Sequence, residues 1–374
     1  MFTDLGNRLT KMCRYANMLF GRNVHMEAAV DHSQDEKLTI NKVAELCGVS
    51  KTTISRYLNG KYDNMSAATK ERIGAVIAGL DYHPNRSAQR LKAQKAMLIG
   101  CVIADVSSIF SAIMLKGIVS ACEQAGYQVL FSDSREDPAR ERRAIQDFLD
   151  NRVDGLIVNT TGGNDALLEE LKTRLPVVLV DRLTASRELD DVSSPNFDTA
   201  HNTTQLLLGM GYERVAFISE EPRGISPRVD RRRGYAAAVT ERELEPECIE
   251  LDTARPEDCA GAIARFVEKY PGRRLALLSA NGVTALHALM ALSTLNITVG
   301  YDFGFCTFDD WAWLQLTRPG ITTVQLGTEE KGEAAARLLI GRINDDPSLG
   351  DEVQHIVIPS HVILRGSTLS EPVG

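Results

Sequence analysis

Cysteine is scarce and unpatterned in this chain. The seven (Cys13, Cys47, Cys101, Cys122, Cys248, Cys259, Cys306) are odd in number, scattered and never spaced as CxxC. A disulfide framework and a zinc site are therefore not expected, and reduced thiols in a cytoplasm fit better. Long apolar runs are lacking too. None approaches the roughly 20 residues needed to cross a bilayer. The opening MFTDLGNRLTKMCRYANMLFGRN mixes basic and apolar residues but has no compact apolar core before a small-residue cleavage site, so it does not read as a secretory signal. Catalytic signatures are missing as well. The first apolar run leads into GCVIADVSS, which is no GxGxxG, and there is no P-loop, no GxSxG elbow and no His/Cys cluster. The histidines are dispersed, and each reads as an ordinary surface or core residue.

What is present begins with length. At 374 residues, the chain exceeds one ordinary domain and suggests two or three. Hydrophobic residues make up 44% and charged residues 25%, enough to build real cores. The net charge of −8 argues against nucleic acid until its distribution is considered. Lys37 to Lys95 holds 11 Lys and Arg against 4 Asp and Glu, a net of +7, and the remainder carries −15. A compact basic module on an acidic body is the asymmetry expected of a segment that meets phosphate.

Residues 38–80 are dense in short helical patterns. Thr39 can cap NKVAELCG, which stops at Gly48. Ser50 can cap KTTISRYLNG, which stops at Asn59-Gly60. Ser66 opens AATKERIGAVIAGL, with Ile73, Val76, Ile77 and Leu80 at helical spacing. Val43, Ala44 and Leu46 give the first helix its apolar face, and Val49 and Ile54 are expected to pack under the second. Lys51, Thr52, Ser55 and Arg56 then point outward. Such a helix fits the major groove, with the hydroxyls of Ser50, Thr53 and Ser55 suited to phosphate oxygens. A helical hairpin without a DNA role is the plain alternative. Pro84 then sits at the start of a short basic helix.

From Met97 the texture changes. MLIGCVIA, YQVLFS, VDGLIVN, VVLVD, RVAFIS, CIELD, LALLSA and FGFCTF alternate with amphipathic helical stretches near 110–125, 139–150, 164–174, 198–210, 230–243, 257–269, 281–294 and 329–344. Continuous Val/Ile/Leu runs alternating with helices mean parallel strands buried on both faces. Their number suggests two doubly wound sheets facing each other across a cleft, with ligands at the carboxyl ends of the strands.

Two motifs in order carry a family resemblance. TxxxVAxxxGVSxxTxSRxLN runs from Thr39 to Asn59, and YxPNxxAxxLK from Tyr82 to Lys92. Together they resemble the N-terminus of the LacI family of bacterial repressors, and the strand–helix pattern resembles that family's sugar-binding core through about residue 366. The resemblance implies a small all-α helix-turn-helix DNA-binding domain. A hinge helix joins it to an α/β periplasmic-binding-protein-like core of two doubly wound halves. The implied divisions are an extension at 1–36 (loose, or untranslated if synthesis starts at Met26), the DNA-binding domain at 37–83, hinge and linker at 84–96, the effector-binding and dimerisation core at 97–366, and a tail at 367–374.

The resemblance also places roles. Lys51, Thr52 and Arg56 stand where the family reads bases, with Thr39, Ser50, Thr53, Ser55 and Asn59 around them. Asn85 to Lys92 match the hinge helix. Its Leu91, with Ala88 beside it, matches the leucine that pushes between base pairs in the minor groove, and Lys92 matches a basic residue suited to phosphate or minor-groove contact. Two hinges imply a homodimer on near-palindromic double-stranded operator DNA. The end RGSTLSEPVG carries no leucine heptads, so a tetramer is not expected. Effector candidates are Asp105, Ser107, Ser108 and Phe110 after the first strand, Asp181 and Arg182 after another, and Arg228 and Arg231 in SPRVDRRRGY. Asn281, Asp309 and Trp311 complete the set, and Trp313 is either a lid or structural.

Two departures stand out. The family's usual Asn-Asp pair is Asn281-Gly282 here, and Gly327 stands where proline is common. Arginines suit planar anions, so the cluster Arg228, Arg231, Arg232 and Arg233 points to an anionic effector such as a sugar acid, with Arg232 and Arg233 alternatively solvated. SPR-x-x-R and FDDWAWL resemble family members that control gluconate, ketogluconate or ketodeoxygluconate use. The expected protein is a ligand-responsive cytoplasmic repressor of carbohydrate or sugar-acid genes, with no cofactor, metal or membrane partner. A sugar receptor or a sugar-acid enzyme on the same core is the competing class.

Overall fold

Two units divide the chain, Met1–Arg86 and Ser87–Gly374. The structure, a computed structural model, describes residues 39–58, 62, 65–80, 95–252, 255, 257–300 and 303–369. The expectations for 1–36, Asn59, Asn85, Ala88, Leu91 and Lys92 lie outside the described residues.

The first unit is built from short, capped helices: α1 (Ile40–Cys47), α2 (Lys51–Leu58) and α3 (Ala67–Gly79). Each start satisfies backbone N–H groups that a helix leaves without partners. Thr39 Oγ1 accepts from the Lys42 amide at 3.4 Å, Ser50 Oγ from Thr53 at 3.2 Å, and Ser66 Oγ from Thr69 at 3.2 Å. Gly48 turns the chain between α1 and α2 at φ 61, where a side chain would be strained. Val43, Ala44, Cys47, Ile54 and Ile73 form the core, with Val49, Val76, Ile77 and Leu80 packed on its margin. Leu46 is a correction: it is 53% exposed, and Cys47 takes its place inside. At 100° per residue, Val43, Ala44 and Cys47 share one narrow stripe, and Leu46 falls beside it.

The second unit holds two sheets. The strands are β1 (Leu98–Ile103), β2 (Gln128–Asp133), β3 (Gly155–Val158), β4 (Val177–Val180), β5 (Asp190–Ser193), β6 (Arg214–Glu220), β7 (Glu247–Leu251), β8 (Leu275–Ser279), β9 (Phe303–Phe308), β10 (Thr322–Gln325), β11 (His355–Val357) and β12 (His361–Ile363). The helices between them are α4 (Ile109–Gln124), α5 (Pro138–Asp150), α6 (Asp165–Leu171), α7 (Asn196–Gly209), α8 (Ser226–Thr240), α9 (Asp258–Lys269), α10 (Gly282–Thr294) and α11 (Thr328–Ile343). One lobe has the order β11-β5-β4-β3-β1-β2, the other β12-β10-β9-β8-β6-β7. All pairings are parallel except β10 with β12. β3, β4, β8 and β9 are buried throughout, as helices on both faces require. Short β5, β10, β11 and β12 have no counterpart among the apolar runs.

The chain crosses between the lobes three times, after β5, after β10 and after β11. Gly327 lies in the second crossing at φ 57, and a Cβ there would fall 2.6 Å from Ile358 Cγ2. Proline, locked near φ −65°, could not stand at this position, which accounts for the departure noted in the sequence. Helices cross closely in both lobes. A Cβ on Gly117 of α4 would meet Glu329 O at 2.1 Å, and one on Gly332 of α11 would meet Met114 O at 2.1 Å. Gly234 of α8 likewise lies against Phe197 O of α7 at 2.2 Å.

The tail assigned to 367–374 begins too early. Ser367 and Thr368 are buried. Ser367 Oγ donates to Phe305 O at 2.6 Å and accepts from Thr322 N at 2.7 Å, so these residues belong to the second lobe.

Candidate functional site

On the first unit, α2 carries no acidic residue and leaves Lys51, Thr52 and Arg56 exposed, while Ile54 anchors the opposite side. Among the described residues neither Lys51 nor Arg56 has an ion-pair partner. Both cations are thus presented to solvent on one face, the arrangement a groove-reading helix needs. Ser50 and Thr53 are engaged locally, their hydroxyls 2.9 Å apart. Ser55 is half-buried.

On the second unit, the carboxyl ends of both sheets enclose a cleft of about 710 Å³. Every effector candidate lines it: Asp105, Ser107, Ser108, Phe110, Asp181 and Arg182 from the first lobe, Arg228, Arg231, Asn281, Asp309 and Trp311 from the second. Trp313 stays outside, packed on the second-lobe core. Arg232 and Arg233 also stay out, paired at the surface with Glu250 and Asp230. The strand ends explain the convergence, since each parallel strand delivers its following loop to the same edge.

Arg231 is 5% exposed and sits at the centre of the site. Its Nε donates to Asn196 Oδ1 at 2.8 Å and its Nη1 to Ala280 O at 2.6 Å, with the guanidinium 4.3 Å from the Phe308 ring centroid. Among the described residues Nη2 has no acceptor. Burial pulls Arg231 down from the usual guanidinium range, opposed by Asp181, Asp309 and Glu220. Asp309 is pushed up by burial, against Arg231 and the Gly282 N–H that donates to it at 3.0 Å. Asp181 behaves oppositely. Burial again works against its charge, but Lys331 and Arg231 outweigh it and hold the carboxyl below its ordinary value. Lys331 is fully buried, 2.5 Å from Asp181 Oδ1 and 4.8 Å from the Phe110 ring.

Not every candidate presents a free group. Asp105 Oδ1 accepts from the Ser107 amide at 2.9 Å and hydroxyl at 2.7 Å. Asn281 is committed at both ends. Its Oδ1 caps α10 through Thr284 N at 2.9 Å, and its Nδ2 donates to Glu220 Oε2 at 2.9 Å. What Asn281 offers the cleft is therefore an oriented Glu220. Ser108 heads α4 with no side-chain cap bond.

Sequence reasoning missed Glu136, Glu220, Asn159 and the buried Lys331. Glu220 had a signal, as the polar end of RVAFISE. Asn159 had the same signal, as the polar end of VDGLIVN, whereas Glu136 and Lys331 had none, because their partners lie far away in the chain. Glu136 accepts from Arg182 Nη2 at 2.6 Å and from Arg228 Nη2 at 3.4 Å. Arg228 also reaches Glu220 Oε1 at 3.3 Å. The departure at Gly282 has a steric explanation: a Cβ there would meet Trp311 Cζ3 at 2.4 Å. An indole wall fills the space an aspartate would need. Among the described residues, no grouping of His, Cys, Asp and Glu could hold a metal ion, and no helix is long and apolar enough to cross a membrane.

Comparison with known proteins agrees with this division of labour. Residues 39–85 match the bacterial regulatory proteins of the lacI family, and residues 204–368 match the periplasmic binding protein-like domain. The transcriptional regulator KdgR of Bacillus subtilis (strain 168) is 33% identical over 332 residues, 88% of this chain and 97% of that protein. PtxS of Pseudomonas plecoglossicida, also an HTH-type transcriptional regulator, is 34% identical over 333 residues, covering 89% and 96%. The lac repressor dimer bound to operator and the anti-inducer ONPF shares the fold, with a TM-score of 0.77 at 22% identity over 90% of this chain and 100% of that one. A capped helix-turn-helix ahead of a two-lobed core, aligned nearly end to end with such regulators, places the chain in the lacI family of bacterial regulatory proteins, as a DNA-binding transcriptional regulator.

Proposed function

We propose that the protein represses carbohydrate or sugar-acid genes in the cytoplasm, and that a small hydroxyl-rich effector in the interlobe cleft sets its grip on operator DNA. The observation that carries this reading is the convergence of all the effector candidates on one cleft of about 710 Å³, a size suited to a small ligand. Carboxylates accept from hydroxyls, arginines donate to them, and Phe110 and Trp311 supply apolar walls for a ring face. Arg231 is the principal donor to the ligand, with Asp181 and Asp309 as acceptors on opposite walls.

The chemistry is binding, without turnover. Effector acts by its differential affinity for two arrangements of the lobes, and that difference is all it can contribute to the shift. The hinge at Asn85 to Lys92 would transmit it, with Leu91 and Ala88 in the minor groove and α2 in the major groove. Two copies on a near-palindrome supply two hinges and two reading helices.

A thermal-shift screen of neutral sugars and sugar acids, followed by operator binding with the hit, tests this reading. A hit that changes operator affinity is expected. Turnover of any sugar acid, or no response across the panel, would overturn it. Arg56→Ala is expected to cost about 1–3 kcal/mol on the operator and to relax base preference there. Fluorescence anisotropy on cognate and scrambled duplexes measures it, and an equal loss on both would reassign Arg56 to phosphate.

A further inference from the structure

We propose that Arg182 and Arg228 form an anion subsite within the cleft and that Glu136 is its built-in occupant, so that Glu136 sets the charge class of ligand the protein accepts. This rests on the reading of the cleft as the effector site.

The two guanidiniums come from different lobes, Arg182 from the end of β4 and Arg228 from α8. Glu136 lies between them, 2.6 Å from Arg182 Nη2, with its two oxygens 3.4 and 3.5 Å from Arg228. Both arginine side chains are withdrawn from water, at 12% and 15% exposure. Planar guanidiniums so placed match a carboxylate, and the chain supplies its own. The loop is shaped for that purpose. Arg135 and Glu136 are both left-handed, at φ 52 and 55, a rare conformation for consecutive non-glycine residues. The Glu136 amide is tied to Ala104 O at 2.7 Å. The Leu183 amide also crosses the cleft, donating to Ser226 Oγ at 2.9 Å.

Glu136 and Glu220 balance Arg182 and Arg228, so the group is neutral as it stands. A neutral sugar leaves that balance intact. A carboxylate-bearing ligand must either displace Glu136 or add an uncompensated negative charge to a partly desolvated site. Removing the Glu136 charge leaves one positive charge for an external anion to neutralise.

Isothermal titration of the full chain with sulfate, D-gluconate and D-glucose at matched ionic strength tests this. Glu136→Gln and Glu136→Ala are each expected to bind sulfate and gluconate about tenfold more tightly than wild type. D-Glucose carries no charge for the freed arginines to neutralise and is expected to gain less than either anion. Glu221→Gln removes the same charge from the exposed Glu221–Arg223 pair at the rim, and no gain is expected there. Equal affinity of wild type and both Glu136 variants for both anions overturns the proposal, as does an equal gain in Glu221→Gln. A sulfate gain with no response to any sugar sinks the carbohydrate reading alone. A sugar response without an anion gain sinks this inference alone.

Discussion

Asp181 and Asp309 occupy corresponding strand ends in the two lobes, and both adopt left-handed backbone, at φ 65 and 71. Aspartate tolerates that region better than most residues, yet it still stores strain, which is retained where the surroundings enforce it. Their carboxyls then diverge because their neighbours do. Asp181 touches a buried ammonium; Asp309 touches a backbone N–H. Asp181→Asn would strand Lys331 in the interior and is expected to lower stability by about 3–5 kcal/mol, measured by urea unfolding. Lys331→Met made together with it should recover much of that loss. Asp309 gives the opposite sign. Its folded pKa lies above its ordinary value of 3.8, so its ionisation works against folding. That contribution to stability is fully present below the unfolded pKa and is lost as pH rises through the folded one. Asp309→Asn keeps an acceptor for Gly282 and should therefore be more stable than wild type at neutral pH. The gain should vanish as pH falls below 3.8, while sugar binding is lost. Melting curves across that range check the sign, and a variant less stable at neutral pH would refute it. Glu136, depressed by Arg182 and Arg228 against burial, behaves conversely and stabilises above its ordinary value of 4.5.

At the scale of elements, close helix crossings hold each lobe together. α4 and α11 meet through Gly117 and Gly332, each lying against the other helix's backbone. α11 arrives from the second lobe and packs on the first, so this crossing also fixes where the interlobe chain is anchored. Gly332→Ala cannot be absorbed by a side-chain shift, because the obstacle is a carbonyl oxygen. It is expected to destabilise by about 1–3 kcal/mol, seen as a lower urea midpoint with an unchanged slope. Eight apolar runs and eight helical stretches gave the strands and helices their approximate places, since burial on both faces writes a long signal into the sequence. The short strands β5 (DDVS) and β11 (HIV) wrote almost none. They are strands because a neighbour pairs with them.

At the scale of the whole molecule, a basic reading module and an acidic two-lobed core share one chain, and the resemblance read from Thr39 to Lys92 agrees with the family shown by the comparisons. A dimer is the expected assembly, because a near-palindromic operator needs two reading helices and two hinges. Sedimentation should give twice the chain's 41.1 kDa, and a stable tetramer would contradict it.

The sequence alone determined the caps, the outward side of α2 with Lys51, Thr52 and Arg56, and the candidates gathered in the cleft. Each depends on near neighbours or on the rule that parallel strands deliver their ends to one edge. Only the tertiary structure decided the charge state of that cleft. Glu136 reaches Arg228 across 92 positions and Lys331 reaches Asp181 across 150, and no local pattern encodes such pairings. They exist because the chain crosses between its lobes three times and returns α11 to the first. Arg228, which reads in the sequence as part of an open anion site with Arg231, is thereby already engaged by Glu136 and Glu220.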